Sequence, residues 1–251
     1  MKFFFSSIDT LEAKKAKNIY QKKYGQVSAE NSDVIVAIGG DGFLLKTIHD
    51  FRHMQKSFYG INYGSIGFLM NNENSLDLVE IIRKSQKIKL KPLIMKGKNA
   101  KNELFESIAF NEVSLIREAH QAAKLMIKIN NITRMNELIC DGILVSTPAG
   151  STAYNFSAHG SIIPLESKLL ALTPISAFRP RRWRGALLSE NTKIEIIIKD
   201  YKNRPVSITA DHNEFRNIIA VEVSCSENLS CELLFDSKHS IDERILQEQF
   251  F

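Results

Sequence analysis

The stretch Asp33-Val34-Ile35-Val36-Ala37-Ile38 constrains the chain most. It is an unbroken, largely β-branched apolar run, of strand length and apolar on both faces. Such strands occur where helices cover both faces of a parallel sheet. The residues after it fit that placement. Gly39-Gly40-Asp41-Gly42 comes next, then a segment in which Leu44, Leu45, Ile48 and Phe51 recur at helical spacing. The rest of the first third alternates in the same way. KFFFSS reads as a strand. LEAKKAKNIYQKKY reads as a helix, with Asp9 or Thr10 as its cap and Gly25 at its C-terminal end. SFYGI reads as a strand, and SLDLVEIIRKS as a helix capped by Ser75. This rhythm predicts an α/β domain with a parallel, doubly wound sheet over residues 1–92.

After Pro92 the period changes to two. Leu125, Ile127 and Ile129 share one face, as do Ile194, Ile196 and Ile198. Val206, Ile208 and Ala210 repeat the pattern, then Val221, Val223 and Cys225. Alternation over several short segments predicts a half-exposed, largely antiparallel, all-β domain over 93–235. The tail differs again. Ser240 and Glu243 form a capping box before a helical pattern, so residues 236–251 are expected to return to the first domain.

Composition excludes some classes. No apolar run approaches the roughly 18 residues of a membrane helix. Asp9 arrives too early for a signal-peptide core, so a cytoplasmic protein is expected. The three cysteines, Cys140, Cys225 and Cys231, are scattered without a CxxC, and read as thiols in a reducing compartment. The net charge of +5 favours anionic partners. Its excess, 33 basic over 28 acidic residues, is too small to argue for nucleic acid.

The glycine-aspartate turn sits where a strand gives way to a helix, a position that exposes unpaired N–H groups to phosphate. Gly39 and Gly40 allow positive φ and close approach, and Gly42 does the same on the far side. The spacing is neither that of a dinucleotide fingerprint nor that of a P-loop. Asp41 is repelled by a bound phosphate, and these residues leave two readings open. It caps the helix, or it serves as a general base or metal ligand in phosphoryl transfer.

A second motif, DGILVSTPAGSTAYNFS from Asp141 to Ser157, begins as an alternating strand. It breaks at Pro148 and Gly150 into a loop crowded with Ser151, Thr152, Tyr154, Asn155 and Ser157. Hydroxyl-rich loops of this kind suit polyhydroxyl or nucleotide ligands.

Taken together, GGDG, NYGSIGFL, the Asn111-Glu112 pair and DGILVSTPAGSTAYN closely resemble the NAD kinase family in order and spacing, over nearly the whole chain. The first motif alone also resembles turns in diacylglycerol kinases, sphingosine kinases and phosphofructokinases. A lipid or sugar kinase would leave Asn111-Glu112 and the Thr152–Ser157 loop idle.

The resemblance implies a Rossmann-like N-terminal domain, of the phosphofructokinase and diacylglycerol-kinase type, and a C-terminal all-β sandwich-type domain. It implies transfer of a phosphate from ATP, or from polyphosphate, to the 2′-hydroxyl of the adenosine ribose of NAD. It also implies a divalent metal, with magnesium expected, and a homotetramer or homodimer. No membrane or nucleic-acid partner is expected. Carried over, Asp41 resembles the catalytic base and Gly42 its neighbour at the ribose, while Gly39 and Gly40 belong to the phosphate-donor loop. Asn111 and Glu112 resemble the pair that holds adenosine. Ala149, Thr152, Ala153, Tyr154 and Ser157 resemble the substrate loop. Asp141 resembles an acid at the nicotinamide end, from a neighbouring subunit. Phe68 resembles an aromatic wall, and Lys46 reaches towards phosphate. The chain departs from the pattern at Phe43, where many members have Thr. It departs again at Ile139, where many bacterial members have Arg.

Two features stay unassigned. Arg179, Arg181, Arg182 and Arg184 surround Trp183 in a basic loop. Asp211-His212 ends an alternating strand as a turn or as a metal or ribose contact.

Overall fold

A computed structural model of the chain describes residues 1–64, 67–73 and 76–236. The expected Ser75 cap and tail helix lie outside these residues. The described chain forms two compact units: Met1–Leu90 with the chain from Ser230, and Lys91–Leu229.

The first unit holds strands β1 (Phe3–Ser7), β2 (Val34–Gly39), β3 (Ser57–Asn62) and β4 (Gln86–Leu90). Its helices are α1 (Leu11–Tyr24), α2 (Asp41–Phe51) and α3 (Leu78–Lys84). Every residue of β2 is buried, as its unbroken apolar run requires. Thr10 caps α1 by accepting from the Ala13 N–H, and Gly25 ends it at φ 79°. Only Ala13 and Ala16 of α1 are buried, and they are small enough to let the helix lie close to the sheet. Asp77 caps α3 through the Val79 N–H at 3.0 Å.

A fifth strand joins this sheet from far along the chain. The last described strand, β17 (Cys231–Phe235), lies between β3 and β4 in the order β1-β2-β3-β17-β4. It runs parallel to β3 and antiparallel to β4. The sequence pattern alone leaves these residues in the β domain. Leu233, Leu234 and Phe235 are at most 2% exposed, which an interior strand of a sheet covered on both faces explains.

The second unit is a sandwich of two antiparallel six-stranded sheets. Its strands are β5 (Leu93–Asn99), β6 (Leu104–Ala109), β7 (Glu112–Arg117), β8 (Ala123–Ile129), β9 (Ile132–Cys140) and β10 (Gly142–Ser146). They continue as β11 (Leu169–Ile175), β12 (Ala186–Ser189), β13 (Ile194–Lys199), β14 (Val206–Ala210), β15 (Asn213–Phe215) and β16 (Ile218–Cys225). One sheet runs β12-β11-β10-β7-β14-β15, the other β6-β5-β16-β13-β8-β9. Alternate residues from both, among them Leu125, Ile127, Ile196, Ile208 and Val223, meet in a single core. β10 departs from the expected alternation: all five of its residues are buried.

The three cysteines are free thiols. Burial pushes Cys140 up to about 12 and Cys231 to about 11, so neither is a reactive thiolate. No helix among the described residues is long and apolar enough to cross a membrane.

Candidate active site

In the first unit the glycine-aspartate turn ends β2 and starts α2. Gly40 is the N-cap, in extended backbone at φ −115°, with no side-chain cap. Asp41 is therefore the first residue of the helix, and the capping reading of its carboxylate fails. Its oxygens turn instead to a loop that follows β3. Oδ2 accepts from the Phe68 N–H at 2.8 Å, and Oδ1 from the Leu69 N–H at 3.0 Å. Phe68 thus contributes its backbone here, and its ring is half-buried.

The turn does not use left-handed backbone. Among the described residues only Gly25 and Gly185 are glycines at positive φ. Closeness is what excludes a side chain. A Cβ at Gly64 would lie 3.3 Å from the Gly40 Cα, so loop and turn pass backbone to backbone. Gly42 is the opposite case: it is exposed, and a Cβ there would meet nothing within 4 Å. The first turn of α2 therefore presents an open face at Gly42, at the positive end of a helix, a position suited to an anion. Lys46 is exposed on the same helix, one turn beyond Gly42.

In the second unit Asn111 and Glu112 lie where β6 passes into β7. Asp211, at φ 50° between β14 and β15, grips the backbone beneath them. Its carboxylate accepts from the N–H groups of Phe110 at 2.7 Å, Asn111 at 2.9 Å and Glu112 at 3.3 Å. Thr147 locks the other side. Its hydroxyl donates to the Phe110 carbonyl at 2.6 Å, and its N–H donates to the Asn111 carbonyl at 2.9 Å. Gly150 passes so close that a Cβ would sit 2.3 Å from the Asn111 oxygen. Two motifs separated in sequence are thereby joined at one point.

This rigid frame carries two side-chain oxygens, Asn111 Oδ1 and Glu112 Oε2, that are buried and, among the described residues, without a partner. A buried unsatisfied polar group costs about 1–3 kcal/mol, and native proteins keep few. Burial, and then the neighbouring charge of Asp211, push Glu112 up to about 7. Burial and the charge of Glu112 in turn raise Tyr154.

The hydroxyl-rich loop divides its side chains between frame and site. Ser151 donates to the Pro148 carbonyl at 2.7 Å and accepts from the Ile163 N–H at 3.0 Å. Asn155 donates to the carbonyls of Ser151 and Ser161 and accepts from the Thr173 hydroxyl at 2.6 Å. Both hold the loop together. Ala149 and Thr152 lie in a 3-10 turn (Ala149–Thr152), followed by Ala153 and then α4 (Tyr154–Ser157). Thr152, Ala153 and Tyr154 are half-buried, Ser157 is exposed and Ala149 is buried.

Asp141 is paired within the chain, with Arg117 Nε 2.6 Å from its Oδ1. The cation beside Asp141 comes from β7, the strand next to β10. In the basic loop, Arg179 bridges to Ile139 through backbone. Arg182, Trp183 and Arg184 join His159 around a cavity of about 390 Å³. His212 is exposed beside Asp211. Sequence reasoning assigned no role to Arg117 and left Asp211 open. The signal that finds both is strand pairing, which is not local.

A family model described as "ATP-NAD kinase C-terminal domain" matches residues 110–228. The NAD kinase of Xylella fastidiosa is 48% identical over 238 residues, covering 95% of this chain and 92% of its own. That of Caulobacter vibrioides is 48% identical over 246 residues, covering 98% and 95%. Among solved structures, an NAD kinase from Archaeoglobus fulgidus in complex with ATP superposes with a TM-score of 0.79. It is 20% identical, with 99% of this chain and 98% of that one covered, and so speaks for the fold.

Proposed function

The chain belongs to the NAD kinase family, and we propose that it phosphorylates the 2′-hydroxyl of the adenosine ribose of NAD, with ATP as donor, to make NADP. One observation carries this reading in the chain itself. Among the described residues, Asn111 Oδ1 and Glu112 Oε2 are buried acceptors without donors, on a backbone whose own groups are satisfied. They call for a ligand rich in O–H and N–H groups, as adenosine is. Thr152, Ala153, Tyr154 and Ser157 line the same ligand, with Ala149 behind them.

Asp41 is the proton acceptor. The N–H groups of Phe68 and Leu69 fix the direction of its carboxylate. A carboxylate has about four lone-pair sites, so it can take a substrate hydroxyl beside those bonds. As the 2′-hydroxyl proton passes to Asp41, its oxygen bonds to the terminal phosphorus of ATP. The bond to the leaving diphosphate breaks, and ADP departs. Gly40 and Gly42 keep the donor side of the turn free of side chains, Gly39 leads into it while making room for the Phe43 side chain, and Lys46 draws the phosphates to it. Polyphosphate fits the same backbone site. Phe68 walls the adenosine. Asp141, oriented by Arg117, meets the nicotinamide end from a neighbouring copy.

Magnesium commonly binds through one or two carboxylates and substrate phosphates. Among the described residues no group of three or more His, Cys, Asp or Glu could hold a metal ion. A magnesium ion held largely by the phosphates of ATP would need no such group, and it would offset charge on the transferred phosphate; no step here is routed through it. Cytoplasmic location and assembly as a homotetramer or homodimer belong to the same proposal. Light scattering should give a mass well above the 28.5 kDa chain, and a fully active monomer would remove the neighbouring-copy role of Asp141.

The test of activity is incubation with NAD, ATP and magnesium, with product read by an NADP-specific dehydrogenase. Asp41→Asn should lower kcat about 10²–10⁴-fold, with the KM for NAD little changed and the melting temperature near that of the parent. Turnover within a few-fold of the parent would refute the assignment of Asp41 as base.

A further inference from the structure

We propose that Asn71 is the positioning residue that holds Asp41 in its working orientation, by tying the loop after β3 to both β3 and β17. The inference rests on the reading of Asp41 as proton acceptor.

Asn71 is fully buried, at 0% exposure, and its polar groups are engaged on every side. Its N–H donates to the Gly60 carbonyl at 2.8 Å, and its own carbonyl accepts from the Asn62 N–H at 2.8 Å. Its Nδ2 donates to the carbonyls of Gly60 at 3.1 Å and Leu234 at 3.0 Å. Its Oδ1 accepts from the Asp236 N–H at 2.8 Å. With one N–H and two carbonyls as partners, the amide has a single satisfied orientation.

Those partners are the ends of two neighbouring parallel strands. Gly60 and Asn62 belong to β3, and Leu234 and Asp236 stand at the end of β17. Asn71 thus closes the loop against the sheet. Two residues before it lies Leu69, whose N–H, with that of Phe68, fixes the two oxygens of Asp41. Met70, between them, is also fully buried, and its Sδ would lie 2.6 Å from a Cβ at Gly60. The other end of the loop is pinned too: the Tyr63 N–H donates to the Gly39 carbonyl at 2.7 Å, and its hydroxyl to Glu73 at 2.6 Å. The path from Asn71 to the carboxylate is three residues of anchored backbone. Displacement of a reacting group by about 1 Å can cost 10²-fold in rate.

A residue that merely stabilises the unit would lower melting temperature and leave the turnover of folded enzyme alone. A residue that acts through Asp41 changes kcat, and only while Asp41 is able to act. In the full chain, Asn71→Ala should lower kcat ten- to a hundredfold, with the KM for NAD and for ATP within threefold of the parent. On an Asp41→Asn background it should cause less than a further twofold loss, because residues in one network are not additive. A normal kcat, or a loss that multiplies in full on that background, overturns the proposal. Should Asn71→Ala fail to fold, hydrogen exchange on the unsubstituted protein decides. The Phe68 and Leu69 amides should be protected as strongly as those of Asn71 and Asp236, and exchange at the rate of an unanchored loop overturns the proposal. Near-normal turnover of Asp41→Asn removes the base reading and this inference together. A collapsed Asp41→Asn beside a normal Asn71→Ala removes this inference alone.

Discussion

Replacing Glu112 by Gln should stabilise the ligand-free protein at alkaline pH while weakening its hold on NAD. The carboxyl is pushed from an ordinary 4.5 to about 7 by burial and by Asp211. At 1.36 kcal/mol per pH unit, that gap puts the cost of ionising Glu112 in the folded chain near ~3 kcal/mol. Glu112 keeps some exposure, so a realistic gain for Gln is about 1–3 kcal/mol, or roughly 3–10 °C in melting temperature. The sign follows from proton linkage. Between 4.5 and about 7 the folded chain binds the proton that the unfolded chain has lost. Stability from this group is full below 4.5 and lost as pH rises through about 7. The advantage of the Gln variant should therefore be largest near pH ~8 and fall below about 1 kcal/mol by pH ~5. Urea unfolding of the second unit at both pH values, without nucleotide, reads this directly. A difference that does not change with pH, or none at the alkaline value, would refute the reasoning. The same variant should raise the KM for NAD and leave that for ATP nearly unchanged, since it removes a charged acceptor from the adenosine site. Such a trade of stability against function is common where polar groups are kept buried for a ligand.

Two glycines should respond oppositely to alanine. Gly150→Ala places a Cβ 2.3 Å from the Asn111 carbonyl oxygen and should destabilise the second unit by more than about 2 kcal/mol, measured as lost soluble yield or a lowered melting temperature. Gly42→Ala meets nothing within 4 Å, so its melting temperature should match the parent while its KM for ATP rises. A loss of stability there would mean the face is not open.

Where a signal is local, the sequence already shows it. Thr10 and Gly25 bracket α1 as helix-end chemistry predicts, and the apolar run of β2 is buried throughout. The alternating positions of β8, β13, β14 and β16 point into one core. What stayed hidden depends on partners far along the chain. Asp211 looks like an ordinary turn residue until the backbone 101 residues earlier folds onto it. Asn71 looks like one of several polar loop residues until Leu234, 163 residues on, supplies its acceptor. Asp41 misleads for the same reason. Its position invites a capping role, yet the donors it takes lie 27 and 28 residues away. The glycines of the turn were expected to supply unusual torsions, and at Gly64 and Gly40 the demand is for proximity instead. Torsions are a property of one residue, whereas proximity belongs to a pair.

The place of β17 in the first sheet sets the order in which this protein can be made. While the ribosome is still adding the β sandwich, β1, β2 and β3 are out, but the neighbour that β3 and β4 share has not been synthesised. β4 pairs with no other strand among the described residues. At about 5–20 residues per second, roughly ten to thirty seconds pass between β3 and β17. Through that interval the edge of β3 stays unpaired, and Asn71 lacks the strand that completes its hydrogen bonds. The sandwich, continuous in sequence, can fold first. The half of the enzyme that carries Asp41 is finished last, so a nascent or shortened chain would hold a folded sandwich without a completed phosphate-transfer centre.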